Sequence, residues 1–505
     1  MTDGASFSYD GNVTLNYNTL VNEKHIIYAG AGLEVTQNDN NSHGFIMTGF
    51  PDDRYSDPAF AIQYKKETKP SSSESKSRAI GFFANGNYSY DDRYFADVSV
   101  RIDGSSKFGA DKKYAPFWSA GAGWNVHNEK FFKHTKISML KLRYSYGVTG
   151  NQEFSAYQAK TMFQFNTDRL YNSGISAALM GYGNPDLEWQ NQYQSNYGFD
   201  FGYAKDRIRL QFNYYQKKTE GMLTSVSVAP SLGLPSNTFT SNLGKIQNKG
   251  VEVNLNAVLI RDQGKDFEWS VMLQAAHNKN KIMEISTALK NINEKNNQDK
   301  TTPAAVYEEG ESMSAIKAVP SLGIDPTTGQ ELFMKKDGTI TYTWDATDKV
   351  ICGDSEPKVF GNVGTNLYWK GWNLNMVFKY DLGADYYNST LAERVEGANP
   401  RYNADRRVLN NRWKEPGQHA LYKNIKEYTT TYISSRFVQK ENTLQLTSLS
   451  LSYDLNREWI RKFGLNTMRL SFYMNDVFRA STVKNERGLD YPFQRSFVFG
   501  LNIGF

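Results

Sequence analysis

The alternation of apolar and polar side chains is the feature of this sequence that most constrains its fold. In the last eleven residues, RSFVFGLNIGF, large apolar side chains occupy every second position: Phe497, Phe499, Leu501, Ile503 and Phe505. Small or polar residues fill the intervening positions, with Val498 as the one exception. A period of two is the period of a β-strand, and large apolar groups on one face only are typical of a strand in a membrane barrel.

The same alternation recurs along the whole chain. Clear examples are residues 94–103, 140–149, 192–203, 207–214, 251–259 and 372–380. We count roughly fifteen such segments by the alternation test. Each is roughly ten to thirteen residues long, which is the length that a tilted strand needs to cross a bilayer.

The connections between these segments alternate in length. The short ones lie near residues 21–24, 91–93, 128–137, 204–206, 262–266, 370–371 and 455–465. The long ones lie near residues 38–78, 104–115, 150–190, 217–249, 282–357, 382–442 and 477–493. Aromatic residues flank two of the short turns: Tyr90, Tyr94, Trp369 and Trp372. Short turns at one end, long loops at the other and an aromatic girdle predict an all-β protein, an antiparallel transmembrane β-barrel.

Composition excludes several other classes. The mean hydropathy is −0.61 although 14% of residues are aromatic, and no apolar stretch of about 18 residues exists, which excludes a helical membrane span. A net charge of +5 on 505 residues does not indicate a nucleic-acid partner. The single cysteine, Cys352, forms no internal disulfide, and the six histidines follow no metal or catalytic spacing. Turn chemistry explains the stretches around Asp325 and Asp337 better than a calcium loop does. We therefore predict no catalytic, metal or cofactor site.

The strand count also predicts that the chain is part of a larger protein. With short turns on the periplasmic side, an odd number of strands places the first strand's start at the extracellular rim, whereas bacterial single-chain barrels normally have an even number. The first residues, MTDGASFSYDG, contain no signal peptide. We therefore expect at least one further strand upstream.

Nine segments, in order along nearly the whole chain, resemble the SusC/RagA family of TonB-dependent outer-membrane transporters. They are YSYDDRYFADVSVRIDGSSKFG (88–109), APFWSAGAGWNVHNEKFF (115–132), LKLRYSYGVTGNQ (140–152), NPDLEWQNQYQSNYGFDFGY (184–203), YYQKKTEGML (214–223), NLGKIQNKGVEV (242–253), GIDPTTGQ (323–330), NRWKEPGQ (411–418) and SSRFVQKENTLQLTSLSLSYDL (434–455). One departure is the stretch NERGLDYPFQRS (485–496), which lacks the Asp-Pro-Glu run that often precedes the family's last strand.

The resemblance implies a 22-stranded barrel closed by an N-terminal plug. Residues 1–505 would then be the C-terminal part of the barrel, with about seven strands, the plug, the TonB box and the signal peptide absent. It further implies an active importer of oligosaccharides or peptides, not an enzyme, integral to the outer membrane of a Bacteroidetes-type Gram-negative cell. Its implied partners are outer-membrane lipid, a SusD-like surface lipoprotein and, through the absent N-terminal part, the TonB complex.

The candidate binding residues are aromatic side chains of the loop at 150–190: Tyr157, Phe163, Phe165 and Tyr171. They would either stack on sugar rings or fill a cluster of loops. The loops at 150–190, 282–357 and 382–442 are candidates for contact with the lipoprotein; alternatively, they pack on each other. The polar strand faces carry charges of both signs, which suits a water-filled interior or plug contacts: Asp97, Arg101, Asp103, Arg143, Asp200, Arg207, Arg209, Glu252, Glu268 and Lys379. Two other functions stay open, a self-contained passive porin and a soluble β-rich surface binding module.

Overall fold

The structure is a computed structural model that describes most of the chain. The described residues are 2–52, 54, 57–66, 68, 70–109, 112–132, 136–151, 157, 159–172, 174–184, 187–227, 238–242, 244–286, 290, 293–294, 296–301, 303–399, 401–402, 404–427, 429–484 and 494–505.

Strands account for most of the described secondary structure. In chain order they are β1 (Thr2–Val21), β2 (His25–Gly44), β3 (Met47–Thr48), β4 (Gln63–Tyr64), β5 (Ser71–Tyr90), β6 (Tyr94–Ser105), β7 (Tyr114–Asn125), β8 (Ile137–Asn151), β9 (Met162–Tyr171), β10 (Gly174–Gly181), β11 (Gln190–Tyr203), β12 (Ile208–Glu220), β13 (Leu223–Ser227), β14 (Thr238–Asn242), β15 (Lys245–Asp262), β16 (Phe267–Glu284), β17 (Ala315–Ala318), β18 (Ser321–Ile324), β19 (Glu331–Met334), β20 (Ile340–Thr341), β21 (Val350–Asp354), β22 (Val359–Trp369), β23 (Trp372–Tyr387), β24 (Val438–Asp454), β25 (Thr467–Ser481) and β26 (Phe497–Gly504).

Fifteen of these strands form one large sheet. Its hydrogen-bonded order is β1-β2-β5-β6-β7-β8-β11-β12-β15-β16-β22-β23-β24-β25-β26, so that each strand pairs with the next long strand of the chain. The pairing is antiparallel, as between β5 and β6 or β22 and β23. The remaining strands form small sheets within the long connections: β3–β4, β9–β10, β13–β14, β17–β21 and β18–β19–β20. The prediction of an antiparallel sheet of about fifteen strands is confirmed.

The helical segments that lie wholly within the described residues are short. They are the 3₁₀ turns Pro58–Phe60, Val126–Asn128, Lys130–Phe132, Ala346–Asp348, Arg406–Leu409 and Ser435–Phe437, the π-helix Thr390–Glu396 and the α-helix Arg457–Arg461. In the described part of the chain, no helix has the length and apolar character that a membrane span requires.

The tight turns between long strands use residues in the left-handed backbone region. The φ angles are 50° and 57° at Asn22 and Glu23, and 52° and 51° at Asp91 and Asp92. Two successive residues with positive φ match the right-handed twist of the flanking strands, which is why short hairpins use them. These tight turns lie where the sequence predicts short connections, at residues 21–24 and 91–93.

Burial on the large sheet is the reverse of that on a sheet packed on a water-soluble core. On β6, the apolar side chains Val98, Val100 and Ile102 are 52%, 44% and 44% exposed. The polar residues between them are half-buried: Asp97, Ser99, Arg101 and Asp103. An apolar face turned outward and a polar face turned inward are what a strand needs when lipid surrounds it. We call these two sides the apolar face and the polar face.

Aromatic pairs lie beside the tight turns on the large sheet. Tyr90 pairs with Tyr94 across the turn at residues 91–93, and Trp369 pairs with Trp372 across the turn at residues 370–371. The ring of Trp372 lies 4.6 Å from that of Tyr453 on the next strand. These are the positions of the girdle that the sequence predicts.

The chain divides into two compact units. The first comprises residues 1–123, 145–195 and 219–243, and the second comprises residues 124–144, 196–218 and 244–505. The first unit contains a small buried apolar cluster of Phe108, Ala115, Phe117 and Trp189. In the second unit, the long connections carry most of the buried apolar residues, such as Val319, Ile433 and Phe437. Well-buried side chains therefore gather where loops fold, and the long strands contribute few of them.

Candidate functional site

Charged side chains on the polar face of the first unit form a linked group across β2 and β6. The Nη2 atom of Arg101 donates to Oε2 of Glu34 over 2.8 Å, and its Nε atom donates to Oδ1 of Asp103 over 2.6 Å. The β2–β5–β6 register explains this proximity, because Glu34 pairs with Gly81 and Gly81 pairs with Asp103. A glycine between two charged residues leaves room for the guanidinium group to cross the intervening strand.

A cavity of about 200 Å³ lies beside this charged group. Its lining includes Glu34, Arg101, Asp103, Lys107 and Trp189. Two carboxylates, a guanidinium and an ammonium group provide both hydrogen-bond acceptors and donors. The cavity can therefore bind a neutral, polar molecule or one that carries both signs of charge.

Trp189 forms the aromatic wall of this cavity. Its ring stacks on Phe108 with centroids 4.3 Å apart and meets Phe117 edge-on at 5.3 Å. The preceding segment is held in place by a hydrogen bond from the Gly109 amide to the Leu187 carbonyl oxygen. These contacts hold the Trp189 ring in place. The residue lies within the segment NPDLEWQ, where the sequence does not mark it as a binding residue.

The indole nitrogen of Trp189 has an unusual environment. The side chain is buried, yet its Nε1 atom has no hydrogen-bond partner among the described residues. A buried indole N–H normally has a partner, because leaving it unsatisfied costs about 1–3 kcal/mol. The ring of Trp189 lines the cavity, whereas Nε1 itself is enclosed by protein, so a ligand in the cavity would contact the ring. Nothing in the sequence could have revealed this position on the cavity wall.

The polar face of the second unit also carries ion-paired side chains, which are formed by different residues. The Nη2 atom of Arg143 donates to Oδ1 of Asp200 over 2.7 Å and to the side-chain oxygen of Asn213 over 3.1 Å. Arg209, by contrast, pairs with Asp206 at a tight turn, 2.8 Å away. The predicted set of inner charges is therefore partly an ion-paired sheet face and partly turn chemistry.

The structure places the four predicted loop aromatics in different surroundings. The Tyr157 hydroxyl accepts a hydrogen bond from the Lys76 amide over 2.9 Å, which ties the loop to β5. Phe163 and Phe165 lie two residues apart on β9 and are 60% and 72% exposed. The backbone of Tyr171 pairs with Gly174, but its side chain lies outside the described residues. Among the described side chains of this set, Phe163 and Phe165 share one surface.

The two longest connections pack on each other in the second unit. The Ser435 amide donates to the Val319 carbonyl oxygen over 2.9 Å, and Trp344 Nε1 donates to the Ile433 carbonyl oxygen over 2.9 Å. The Trp344 ring also stacks on Tyr432 at 5.1 Å. The connections at 282–357 and 382–442, which we call the loop body, therefore adopt the alternative of mutual packing that the sequence left open. Their contact with a lipoprotein stays a prediction.

A buried charge network lies inside the loop body. Arg436 pairs with Oε2 of Glu331 over 2.8 Å through Nη2, and the same nitrogen donates to Oε1 of Glu396 over 2.8 Å. The two carboxylate side chains are 5% and 0% exposed. Burial by itself would lower the pKa of Arg436, but the hydrogen bonds and charge of Glu396 and the charge of Glu331 outweigh it and raise that pKa.

Two further cations complete the network. Lys423 Nζ lies 3.9 Å from Oε1 of Glu396, and burial lowers the pKa of this lysine despite that negative charge. Arg412 donates to backbone oxygens, among them that of Glu396 over 2.9 Å. The network therefore connects segments far apart in sequence, and its role in the structure is to hold the loop body together.

The stretch around Asp325 is a turn stabilised by its own side chain. Oδ1 of Asp325 accepts from the Thr327 amide over 2.9 Å, and Oδ2 accepts from the Tyr342 hydroxyl over 2.6 Å. The Tyr342 hydrogen bond, followed by that of Thr327, holds the pKa of Asp325 below its usual value. Within the described ranges, no three His, Cys, Asp or Glu residues are grouped to hold a metal ion.

Comparison with known proteins gives one family and a consistent set of relatives. Residues 2–477 match the family model described as TonB dependent receptor-like, β-barrel. The chain is 28% identical over 486 residues to TonB-dependent receptor P3 of Formosa agariphila, covering 86% of this chain and 46% of that protein. It is 23% identical over 535 residues to TonB-dependent receptor SusC of Bacteroides thetaiotaomicron, covering 99% and 51%.

A solved structure shows the same fold. The chain superposes on the RagAB peptide importer in its closed-closed state with a TM-score of 0.86 and 22% identity, covering all of this chain and 56% of that one. The chain thus spans about half the length of the relatives that it matches.

Proposed function

The chain belongs to the family of TonB dependent receptor-like β-barrels, a family of outer-membrane transporters, and from this membership we propose that it is the C-terminal barrel part of an active nutrient importer. The rest of the barrel, the plug and the TonB box would lie in the part of a longer protein that this chain does not include. On this proposal the importer lies in the outer membrane and takes its energy from the TonB complex.

The reversed burial of the large sheet is the observation that carries this proposal. Val98, Val100 and Ile102 are exposed, whereas Glu34, Arg101 and Asp103 meet on the opposite face. In water, the exposed apolar face would be unfavourable, since each buried CH₂ is worth about 0.8 kcal/mol. In a bilayer it meets hydrocarbon, while the polar face borders a water-filled interior. This favours a membrane barrel over a soluble binding module.

The proposed ligand class is an oligosaccharide or a peptide. The cavity at Trp189 supports this choice, because hydroxyl groups and peptide groups both pair with mixed donors and acceptors. The RagAB complex, which has the same fold, is a peptide importer. The resemblance to SusC/RagA transporters further supports a SusD-like surface lipoprotein as the partner.

Uptake by cells that carry the full-length protein tests this function. The gene would be deleted and restored, and accumulation of labelled oligosaccharides and peptides measured with and without a protonophore. We expect uptake of one ligand class to need both the gene and the proton gradient, and the lipoprotein to co-purify. Uptake that requires the gene but continues in the presence of the protonophore would indicate a passive porin. If deletion of the gene changes the uptake of no ligand, the proposal of an importer is refuted.

Replacing Trp189 by leucine tests the cavity. The change keeps a large apolar side chain against Phe108 and Phe117 but removes the aromatic ring from the cavity wall. Losing an aromatic contact of about 0.5–1.5 kcal/mol should weaken ligand binding by roughly two- to tenfold. Titration of the full-length importer with its transported ligand would measure this. Phe117→Leu, which alters the same packing and leaves the Trp189 ring in place, is the control, and equal affinity in the wild type and Trp189→Leu would exclude Trp189 as a ligand contact.

Exchanging Phe163 and Phe165 for serine tests the exposed hairpin. Both side chains are mostly exposed, so the free energy of unfolding should change by less than about 0.5 kcal/mol. We propose that the pair contacts the ligand or the lipoprotein, so that capture of one of them should fall several-fold. Ile175→Ser, an exposed apolar change on the paired strand β10, is the matched control. Undiminished capture of both partners would leave these residues without a binding role.

A further inference from the structure

A groove of about 530 Å³ lies on the apolar face of the first unit and adjoins the Trp189 cavity, with which it shares Arg78, Ile80 and Gly104. Its floor includes Val35, Ile80, Gly104 and Tyr114. A volume of this size is within the range of ligand-binding pockets. The nutrient path of the proposed function leaves this groove unexplained.

The strand register establishes which face the groove belongs to. Val35 pairs with Ile80, and Ile80 pairs with Gly104, so that these three positions share one face. Ile102, two residues before Gly104, is on the same face and is exposed. The Tyr114 ring lies over Gly104, where a Cβ atom would come within 2.4 Å of Cε1. The groove therefore opens on the side that we assign to lipid.

Three cations line the groove: Arg78, Lys113 and Lys160. All three side chains are exposed, and none forms an ion pair with a described carboxylate. Arg78 Nε donates to the neutral side chain of Gln37 over 2.9 Å. Asp39 pairs with Lys76 at 2.9 Å and also attracts Arg78 at longer range. The rim thus carries a net positive charge above an apolar floor.

The height of this rim matches the boundary of a membrane. Arg78 lies twelve residues along β5 from Tyr90, at the aromatic girdle beside a tight turn. Twelve residues at about 3.3 Å each, tilted by about 40°, rise roughly 30 Å, whereas the apolar band of a barrel is about 25 Å tall. The cations would therefore lie at the headgroup level of the outer leaflet, and the floor would lie just below it.

We propose that this groove is a binding site for a phosphorylated lipid of the outer leaflet, with the phosphate on Arg78, Lys113 and Lys160 and an acyl chain along Val35, Ile80 and Tyr114. Guanidinium and ammonium groups at headgroup depth attract phosphate, and an apolar groove below them accepts hydrocarbon. The site rests on the membrane placement of the proposed function, but not on the ligand that is transported.

Native mass spectrometry of the full-length protein tests the site. Wild type, the variant Arg78→Ala/Lys113→Ala/Lys160→Ala and the control Lys24→Ala/Lys205→Ala/Lys265→Ala would be purified from outer membranes and mixed with lipid A. The control removes the same charge from exposed lysines at tight turns. We expect the wild type and the control to retain the lipid equally and the groove variant to retain at least tenfold less. Heat-modifiable migration would show that each variant is folded.

Two further measurements distinguish a lipid phosphate from a free phosphate ion as the ligand of the rim. Inorganic phosphate at millimolar concentration should not displace the lipid. Phosphatidylcholine should not replace it either, because its choline cation offsets the charge of its phosphate. Displacement by inorganic phosphate would mean that the rim binds a free anion and would overturn the lipid assignment. Equal retention by all three proteins, or by none, would overturn the site. Absence of the wild type from the outer-membrane fraction would instead refute the membrane placement.

Discussion

Replacing Arg436 by alanine is expected to destabilise the loop body by about 3–5 kcal/mol. The change removes the main partner of Glu331 and Glu396, whose side chains are 5% and 0% exposed. A buried carboxylate without its counter-ion is far costlier than the net value of the intact pair. Lys423, at 3.9 Å from Glu396, is too distant to replace the two direct contacts.

The single cysteine provides a direct readout of this change. Cys352 lies on β21 of the loop body, where burial raises the pKa of its thiol and slows its reaction with thiol reagents. In Arg436→Ala, labelling of Cys352 and proteolysis of the loop body should accelerate at least tenfold, because opening becomes more frequent.

Matched variants distinguish the network from a general effect of losing an arginine. Arg406→Ala removes an exposed arginine of the same connection and should change stability by less than about 0.5 kcal/mol. In a second variant, Arg436→Met combined with Glu331→Gln and Glu396→Gln removes all three charges and should recover part of the loss. If Arg436→Ala labels at the wild-type rate, the network does not stabilise the loop body.

Placing an arginine at Val98 should destabilise the folded barrel by about 2–4 kcal/mol in a bilayer. Val98 lies four residues along β6 from Tyr94, or roughly 10 Å above the girdle, close to the middle of the apolar band. The residue is 52% exposed in the structure, so the same change would have little effect if this face met water. The prediction therefore tests the membrane-facing side directly.

Urea titration of the full-length protein in lipid vesicles, followed by heat-modifiable migration, would measure this effect. Ser99→Arg is the control, because it places the same cation one position further along, on the polar face. We expect its cost to stay below about 1 kcal/mol. If Val98→Arg folds as well as Ser99→Arg, the apolar face is not in contact with hydrocarbon.

Local patterns in the sequence were sufficient to predict the sheet. Alternation assigned Val98 and Asp97 to opposite faces of β6, and the tight turn at Asp91 and Asp92 was recognised from its position between two alternating segments. Both properties depend on neighbours within a few residues, because side-chain direction has a period of two and turn residues determine the hairpin register. The absence of a plug and a signal peptide stays a prediction.

The candidate site was predictable only in part. Phe163 and Phe165 were identified as loop aromatics, and the structure shows them exposed on one strand. Trp189 was not identified, because its importance comes from its position on a cavity wall, and that position depends on the packing of segments far apart in the chain. The resemblance to a known family gave the class of function, but no binding residue.

By itself, the sequence determined the strands, their two faces, the alternation of turn lengths and the family. Tertiary structure alone decided which distant residues meet: Glu331 with Arg436, or Glu34 with Arg101. The physical reason is that strand periodicity and turn conformation are set by local sterics, whereas ion pairs and cavities depend on the packing of segments far apart in the chain. The packing of the loop body could therefore not be predicted from the sequence and is seen only in the tertiary structure.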